Sequence, residues 1–211
     1  MSDKQQEIEQ PQLYLITPPE FDLDVFPALL RDVLDSVEIA CVRLTLATQD
    51  EDKICRAADA LSGITQARDV ALVLDEHILL VEKLGLDGVH LSDGARRVAK
   101  TRKMLGDDAI VGAFCGTSRH DGMNAGEAGA DYVSFGPIGA NTLGDGERAE
   151  HDLFQWWTNV IEVPIVAEGA LDRAAIDAFS QVTDFFALGE EIWSTASPVE
   201  AAKAIKTQLT I

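Results

Sequence analysis

His120 is the residue in this sequence best suited to proton transfer. It closes the run Gly116-Thr117-Ser118-Arg119-His120, which follows an apolar stretch predicted to be a strand. An imidazole titrates near neutral pH, so His120 could act as a catalytic acid or base. The same position also suits a histidine that only begins a helix and hydrogen-bonds to backbone, and the sequence leaves both interpretations open.

Arg43 is a cation inside an otherwise apolar run, Ile39–Thr45. Side chains two residues apart share a face of a strand, so Cys41 and Arg43 are expected to point the same way, into the interior. A buried guanidinium needs an acidic partner, and Asp75 and Glu168 are the candidates. Arg43 is therefore predicted either to bind an anionic ligand or to form an internal ion pair.

The elements that position these residues repeat along the chain. A helical run, a small-residue turn and a short apolar strand that ends in Gly, Ser or Pro occur twice in clear form, at Asp87–Leu91 and Gly129–Pro137. Short apolar runs of this kind are typical of strands buried on both faces. Eight of them are predicted, at Gln12–Thr17, Ile39–Thr45, Ala71–Asp75, Gly88–Leu91, Ala109–Phe114, Tyr132–Phe135, Val163–Ala167 and Asp184–Leu188.

A chain of βα units predicts an α/β protein with a single (β/α)8 TIM barrel over residues 11–211, and a loose polar tail over residues 1–10. The active site of such a barrel lies where its strands end. A doubly wound open sheet is the alternative, but it would carry a Gly-rich phosphate turn after the first strand, where this chain has Thr17-Pro18-Pro19.

The composition of the chain indicates which kinds of binding partner to expect. The chain has 211 residues and a formal net charge of -19, from 36 acidic and 17 basic side chains. This balance disfavours nucleic acid and anionic membranes, whose binding relies on Lys and Arg. Three cysteines without metal or redox spacing, and the lack of a leader or an apolar run of about 18 residues, predict a cytoplasmic protein. The expected partner is a small-molecule substrate or ligand, and the oligomeric state, a homo-oligomer included, stays open.

Five motifs in order resemble the thiamine phosphate synthase family and its thiazole tautomerase branch over nearly the whole chain. They are Leu13-Tyr14-Leu15-Ile16-Thr17, Asp87–Leu91, Gly129–Tyr132, Gly136-Pro137-Ile138 and Val163–Ala167. The resemblance implies a (β/α)8 barrel that joins a pyrimidine pyrophosphate to a thiazole phosphate with magnesium in thiamine biosynthesis. Such chemistry needs magnesium and Lys or Arg to neutralise the leaving pyrophosphate, and backbone amides to hold the second phosphate.

The resemblance implies metal ligands at Asp75 and Asp93. The third strand of the family ends Asn-Asp and here ends Leu74-Asp75, while Asp93 substitutes, shifted by one or two residues, for an aspartate after strand four. Magnesium accepts one or two carboxylates when a substrate supplies phosphate oxygens. Of the Gln-x-Arg-x-Lys alternation on the second strand only Arg43 remains, as the expected anion binder.

The resemblance also implies the substrate-binding residues. Ser118 matches the family's Gly-x-Ser-x-His segment, beside Arg119, and Gly136 matches its Gly-Pro turn. The Thr-x-Thr-Lys that follows in the family becomes Asn141-Thr142-Leu143-Gly144, which lacks the lysine. Glu168 and Gly169 stand at a Gly-Gly turn for the thiazole phosphate, and Glu190 replaces a serine after strand eight.

Two functions follow from these departures. One is an enzyme of thiamine metabolism with an altered phosphate and pyrophosphate site, in which Arg43 and His120 are catalytic. The other is a noncatalytic ligand-binding or regulatory paralogue, in which an acidic rim of Glu168, Glu190 and Glu191 receives a cationic or hydroxyl-rich ligand. The long loop Gly136–Asp152 is predicted to be a mobile lid over either site.

Overall fold

The computed structural model of the chain describes residues 10–139 and 147–210. The predicted tail, apart from residue 10, and the centre of the predicted lid lie outside these ranges. Within them, eight parallel strands close into a barrel in sequence order, which confirms the predicted (β/α)8 fold. The strands are β1 (Gln12–Ile16), β2 (Ile39–Leu44), β3 (Ala71–Asp75), β4 (Gly88–Leu91), β5 (Ile110–Phe114), β6 (Tyr132–Phe135), β7 (Ile165–Glu168) and β8 (Phe185–Leu188).

Helices follow the strands and surround the barrel. In chain order they are α1 (Phe26–Leu34), α2 (Glu51–Gln66), α3 (Ile78–Leu84), α4 (Val98–Leu105), α5 (Arg119–Glu127), α6 (His151–Val160), α7 (Arg173–Phe179), α8 (Glu190–Trp193) and α9 (Pro198–Leu209). The βα repeat predicts a helix after each strand, and α8, a single turn after the last strand, is an additional one. Ser197 caps α9 by accepting a hydrogen bond from the Glu200 amide, with Pro198 at the first helical position.

The strands are apolar because both of their faces are buried. One face packs against the helices, and the other fills the barrel with a cluster of Tyr14, Val73, Tyr132, Val166 and Ala187. The Tyr14 and Tyr132 hydroxyls lie 2.8 Å apart inside the barrel. This packed interior keeps the strand ends in place, so that the loops beyond them can form a site.

Cys41, Cys55 and Cys115 are all free thiols. Over the described ranges, none of the helices combines the length and the apolar character needed to cross a membrane.

Candidate functional site

An ion pair joins two strands that are not neighbours, near the carboxyl ends of the barrel strands. The Arg43 Nη2 atom, from β2, lies 2.6 Å from the Glu168 Oε2 atom, from β7. Arg43 is 7% exposed and Glu168 is 1% exposed. The predicted internal ion pair is therefore present, with Glu168 rather than Asp75 as its partner, and Glu168 lies inside the barrel rather than on an open rim.

The surroundings fix the charge of this pair. Burial is the largest single influence and lowers the pKa of the Arg43 guanidinium, but Glu168, together with Asp75 and the two interior tyrosines, outweighs burial and the pKa is raised. The Ser134 hydroxyl, on β6, donates to the other oxygen of Glu168 at 2.8 Å. One polar atom of Arg43, Nε, is buried without a hydrogen-bond partner. Arg43 is thus ionised and held mainly by Glu168.

The candidate metal ligands lie on neighbouring strand ends. Asp75 ends β3, and burial raises the pKa of its carboxyl group to about 6. Asp93 follows β4, and its Oδ2 atom accepts from Arg97 Nε at 2.7 Å. Arg97 also pairs with Glu76, whose Oε1 atom accepts from the Ser92 amide at 2.6 Å.

A metal would need further ligands here. Among residues 10–139 and 147–210, no group of three or more His, Cys, Asp or Glu side chains is arranged to hold one. The Asp93 Oδ1 atom is buried and has no hydrogen-bond partner, which suits a cation. The donors fit magnesium in the arrangement where one or two carboxylates are completed by water and by phosphate oxygens of a substrate.

A cavity of about 790 Å³ opens beyond β4 and β5, and we refer to it as the β4–β5 cavity. Its wall includes Asp93, Ser118 and Asn124. Ser118 is the N-cap of α5 and accepts from the Asp121 amide at 3.1 Å, so its hydroxyl proton stays available to a ligand. His120, in the first turn of α5, is exposed and its Nε2 atom lies 3.1 Å from the Asn124 side-chain nitrogen. The predicted backbone hydrogen bond of His120 is therefore replaced by a side-chain contact.

Arg119 and Gly136 have packing contacts. The Arg119 guanidinium lies over the Trp156 ring, 5.0 Å from its centroid, and donates to the Asp152 carbonyl at 3.1 Å. A Cβ atom on Gly136 would come within 2.3 Å of the Glu168 carbonyl oxygen. Only glycine therefore allows the backbone after β6 to approach β7 so closely.

A second cavity, of about 640 Å³, opens beyond β7 and β8, and we refer to it as the β7–β8 cavity. Its wall includes Arg148, Leu171, Glu190 and Glu191. Glu190 is exposed, whereas the Glu191 carboxylate accepts from the Leu171 amide and from the Gly189 amide, each at 2.9 Å. The turn that precedes Leu171 contains Gly169, in the left-handed region at φ 90°.

Sequence reasoning did not identify two of these contacts. Ser134 lies in an apolar strand and its hydrogen bond to Glu168 could have been suspected only from the need to satisfy a buried polar group. Glu191 was grouped with Glu190 as a rim acid. The pattern Gly189-Glu190-Glu191-Ile192 could have indicated a short helix that begins at Glu190, with an acidic residue in its first turn.

A closed (β/α)8 barrel with its polar and charged side chains gathered beyond the carboxyl ends of the strands has the architecture of the TIM-barrel enzymes. Comparison with known families identifies the family within this class of enzymes. The family model described as "Thiamine monophosphate synthase" matches residues 13–192, and the chain belongs to this family.

Two relatives carry the name of the same family, and a solved structure has the same fold. A thiamine-phosphate synthase from Rhodospirillum centenum is 39% identical over 197 residues, covering 92% of this chain and 94% of the relative. A thiamine-phosphate synthase from Erythrobacter litoralis is 36% identical, covering 87% and 88%. The structure of thiamine phosphate pyrophosphorylase from Pyrococcus furiosus superimposes with a TM-score of 0.82 at 16% identity, over 94% of this chain and 95% of that chain, a likeness that shows the shared fold.

Proposed function

We propose that this chain is a divergent enzyme of thiamine metabolism, which binds a small-molecule substrate at the barrel mouth and couples pyrimidine pyrophosphate to thiazole phosphate slowly or not at all. The observation that carries the proposal is that two arginines near the strand ends are already paired with carboxylates. Arg43 pairs with Glu168, and Arg97 pairs with Glu76 and Asp93. A leaving pyrophosphate would therefore find these cations neutralised.

The roles of the remaining residues follow from their positions. Asp75 and Asp93 would hold magnesium together with substrate oxygens, and a bound magnesium ion would neutralise charge on the leaving group. Ser118 would donate a hydrogen bond to substrate in the β4–β5 cavity. His120, which contacts the cavity residue Asn124, would supply or accept a proton. Arg119 would add positive charge from the rim.

The expected loss of turnover can be estimated from the absence of the family's lysine. Removal of a single group that stabilises developing charge typically lowers a rate by about 10²–10³. This chain has Gly144 where the family lysine is expected, and its Arg43 is neutralised by Glu168. Two such losses together are enough to bring turnover far below the ~10 per second of a typical enzyme.

The test is a direct assay of the purified protein with pyrimidine pyrophosphate, thiazole phosphate and magnesium. We expect turnover below about 0.1 per second. Gly144→Lys should raise it at least about tenfold, because it returns a cation for the leaving group. Gln66→Lys, at the end of α2 on the opposite face of the barrel, adds the same charge and should have no effect. Wild-type turnover above 0.1 per second would contradict the proposal of an impaired site.

A second candidate is the noncatalytic ligand-binding or regulatory paralogue. It is favoured by the Glu191 carboxylate, which accepts hydrogen bonds from two backbone amides at the mouth. Under this alternative the Gly144→Lys variant stays inactive, and Asp75→Asn and Asp93→Asn leave ligand affinity unchanged in calorimetry. Recovered turnover in Gly144→Lys would exclude it.

A further inference from the structure

The segment that leads into and forms α4 carries a concentration of positive charge. Five of the 17 basic side chains of the protein lie within eight consecutive residues that begin at Arg96, and no acidic residue interrupts them. Two of the five have structural partners, because Arg97 pairs with two carboxylates and Arg102 pairs with Asp131. The internal ion pairs therefore account for only two of these cations.

The other three cations, Arg96, Lys100 and Lys103, are exposed. In the part of the chain that the structure describes, none of the three forms an ion pair. Side chains three and four positions apart on a helix are neighbours, so Lys100 shares one face of α4 with Lys103 and with Met104, which is 43% exposed. We refer to Lys100, Lys103 and Met104 as the α4 basic patch.

Helix stability does not explain the first of these lysines. The amino end of an α-helix carries a partial positive charge, which favours acidic side chains and disfavours basic ones. The first turn of α4 contains no acidic residue, and Lys100 is its third residue. Lys103 lies in the last turn, where the helix dipole favours a cation, but it also repels Lys100. A residue that breaks such a local rule is expected at a functional site.

We propose that the α4 basic patch is a docking surface for an acidic, amphipathic helix of a partner protein. Two acidic side chains three positions apart on the partner helix would match Lys100 and Lys103, because both pairs then have the same spacing. An apolar side chain next to these acids would cover Met104. Complementary charge would set the orientation and the association rate of the partner more than its affinity.

The charge of the surrounding surface favours this class of partner. The whole chain has a formal net charge of -19, so a long polyanion such as DNA, or an anionic membrane, is repelled by the surface around the patch. Asp107 and Asp108 follow the end of α4 and limit the patch on that side. A single acidic helix is short enough to contact the two lysines without reaching these carboxylates. The small size of the patch predicts a weak and transient complex.

The first test uses the wild-type protein and a synthetic helical peptide of about 15 residues, with Glu at positions three apart and Leu beside them. We expect saturable NMR shifts of the Lys100, Lys103 and Met104 amides, and an affinity that falls at least about threefold between roughly 0.05 and 0.3 M salt. A peptide with Gln in place of Glu should not shift these amides. Absence of saturable binding, equal binding of the Gln peptide, or tighter binding of a DNA duplex to the same residues would overturn the proposal.

The second test reverses the charge of the patch. Lys100→Glu combined with Lys103→Glu should weaken binding of the acidic peptide at least about tenfold. Lys203→Glu combined with Lys206→Glu makes the same change of charge on α9, where both lysines already lie beside acidic side chains, and should change the affinity by no more than about twofold. Equal losses in the two double variants would show a general charge effect and would overturn the assignment to α4. Arg96 is left unchanged because it also lines the β4–β5 cavity.

The third test separates docking from a structural role. Lys100→Glu places an acidic side chain in the first turn of α4, so calorimetry should show a melting temperature about 1–4 °C higher than that of the wild type. A lower melting temperature in Lys100→Glu would show that this lysine stabilises the fold and would overturn the proposal.

Discussion

The Arg43–Glu168 pair offers the sharpest test of the energetics of this barrel. Arg43→Met removes the cation and leaves Glu168 buried, 1% exposed, with Ser134 as its remaining hydrogen-bond donor. Breaking one side of a buried ion pair typically costs about 3–5 kcal/mol, because the remaining charge has no compensation. In a domain of this size each kcal/mol shifts the melting temperature by about 2–4 °C. We therefore expect a fall of about 6–20 °C.

The matching variant separates charge from packing. Arg43→Met combined with Glu168→Gln leaves no buried charge at this position, and the Gln carbonyl can still accept from Ser134. The double variant should therefore be more stable than Arg43→Met by at least about 2 kcal/mol. Urea unfolding of the wild type, both single variants and the double variant gives the coupling free energy directly.

A surface pair provides the control. Arg68 donates to both oxygens of Asp35, at 2.7 and 3.0 Å, but these side chains are in contact with solvent. Arg68→Met should lower stability far less than Arg43→Met, because exposed ion pairs contribute little. An Arg43→Met protein as stable as Arg68→Met, or a double variant no more stable than Arg43→Met, would refute the reasoning.

Two further predictions concern the barrel interior. Burial, and to a smaller extent the charge of Arg43, hold the pKa of His90 well below its usual range; the unfolded chain takes up this proton below about pH 6.5 and the folded chain does not, so the contribution of His90 to stability should fall as the pH drops below 6.5, while Asp75, whose folded pKa is about 6, contributes in the opposite direction. In urea unfolding between about pH 6.5 and 5, His90→Gln should therefore gain stability relative to the wild type as the pH falls, and a constant difference between the two proteins would contradict the assignment. Gly112→Ala would place a Cβ atom 2.3 Å from the Tyr132 hydroxyl oxygen and should lower the free energy of unfolding by about 1–3 kcal/mol. Gly63→Ala, exposed on α2 with no atom within 4 Å of the new Cβ, should raise it by about 0.5–1 kcal/mol, and equal effects of the two substitutions would exclude overpacking as the cause.

Part of the arrangement could be predicted before the fold was known. The resemblance to the family implied a substrate-binding role for Ser118, and the structure places this residue at the cap of α5, in the wall of the β4–β5 cavity. Arg43 was expected either to bind an anionic ligand or to pair with an acid, because a guanidinium in an apolar strand cannot remain unpaired. The inference about Arg43 uses properties of the residue and its near neighbours, so it does not depend on which strands face each other.

The sequence alone could not identify the acidic partner of Arg43. Asp75 and Glu168 were equal candidates, since both end strands of the barrel. The choice depends on how side chains from different strands meet inside the closed barrel, where Glu168 approaches Arg43 to 2.6 Å and also receives the Ser134 hydroxyl. The contact between β2 and β7, which are not neighbouring strands, exists only after the barrel closes.

The sequence by itself determined that the chain is a barrel of βα units, because apolar strands and their turns are local patterns whose repetition leaves few architectures. Only the tertiary structure decided which acid of Glu190 and Glu191 meets the backbone amides. Adjacent residues on a helical turn point about 100° apart, so the one-turn helix after β8 leaves Glu190 exposed and directs Glu191 to the Leu171 amide of another loop. A donor 20 positions away in the chain becomes a neighbour through folding alone.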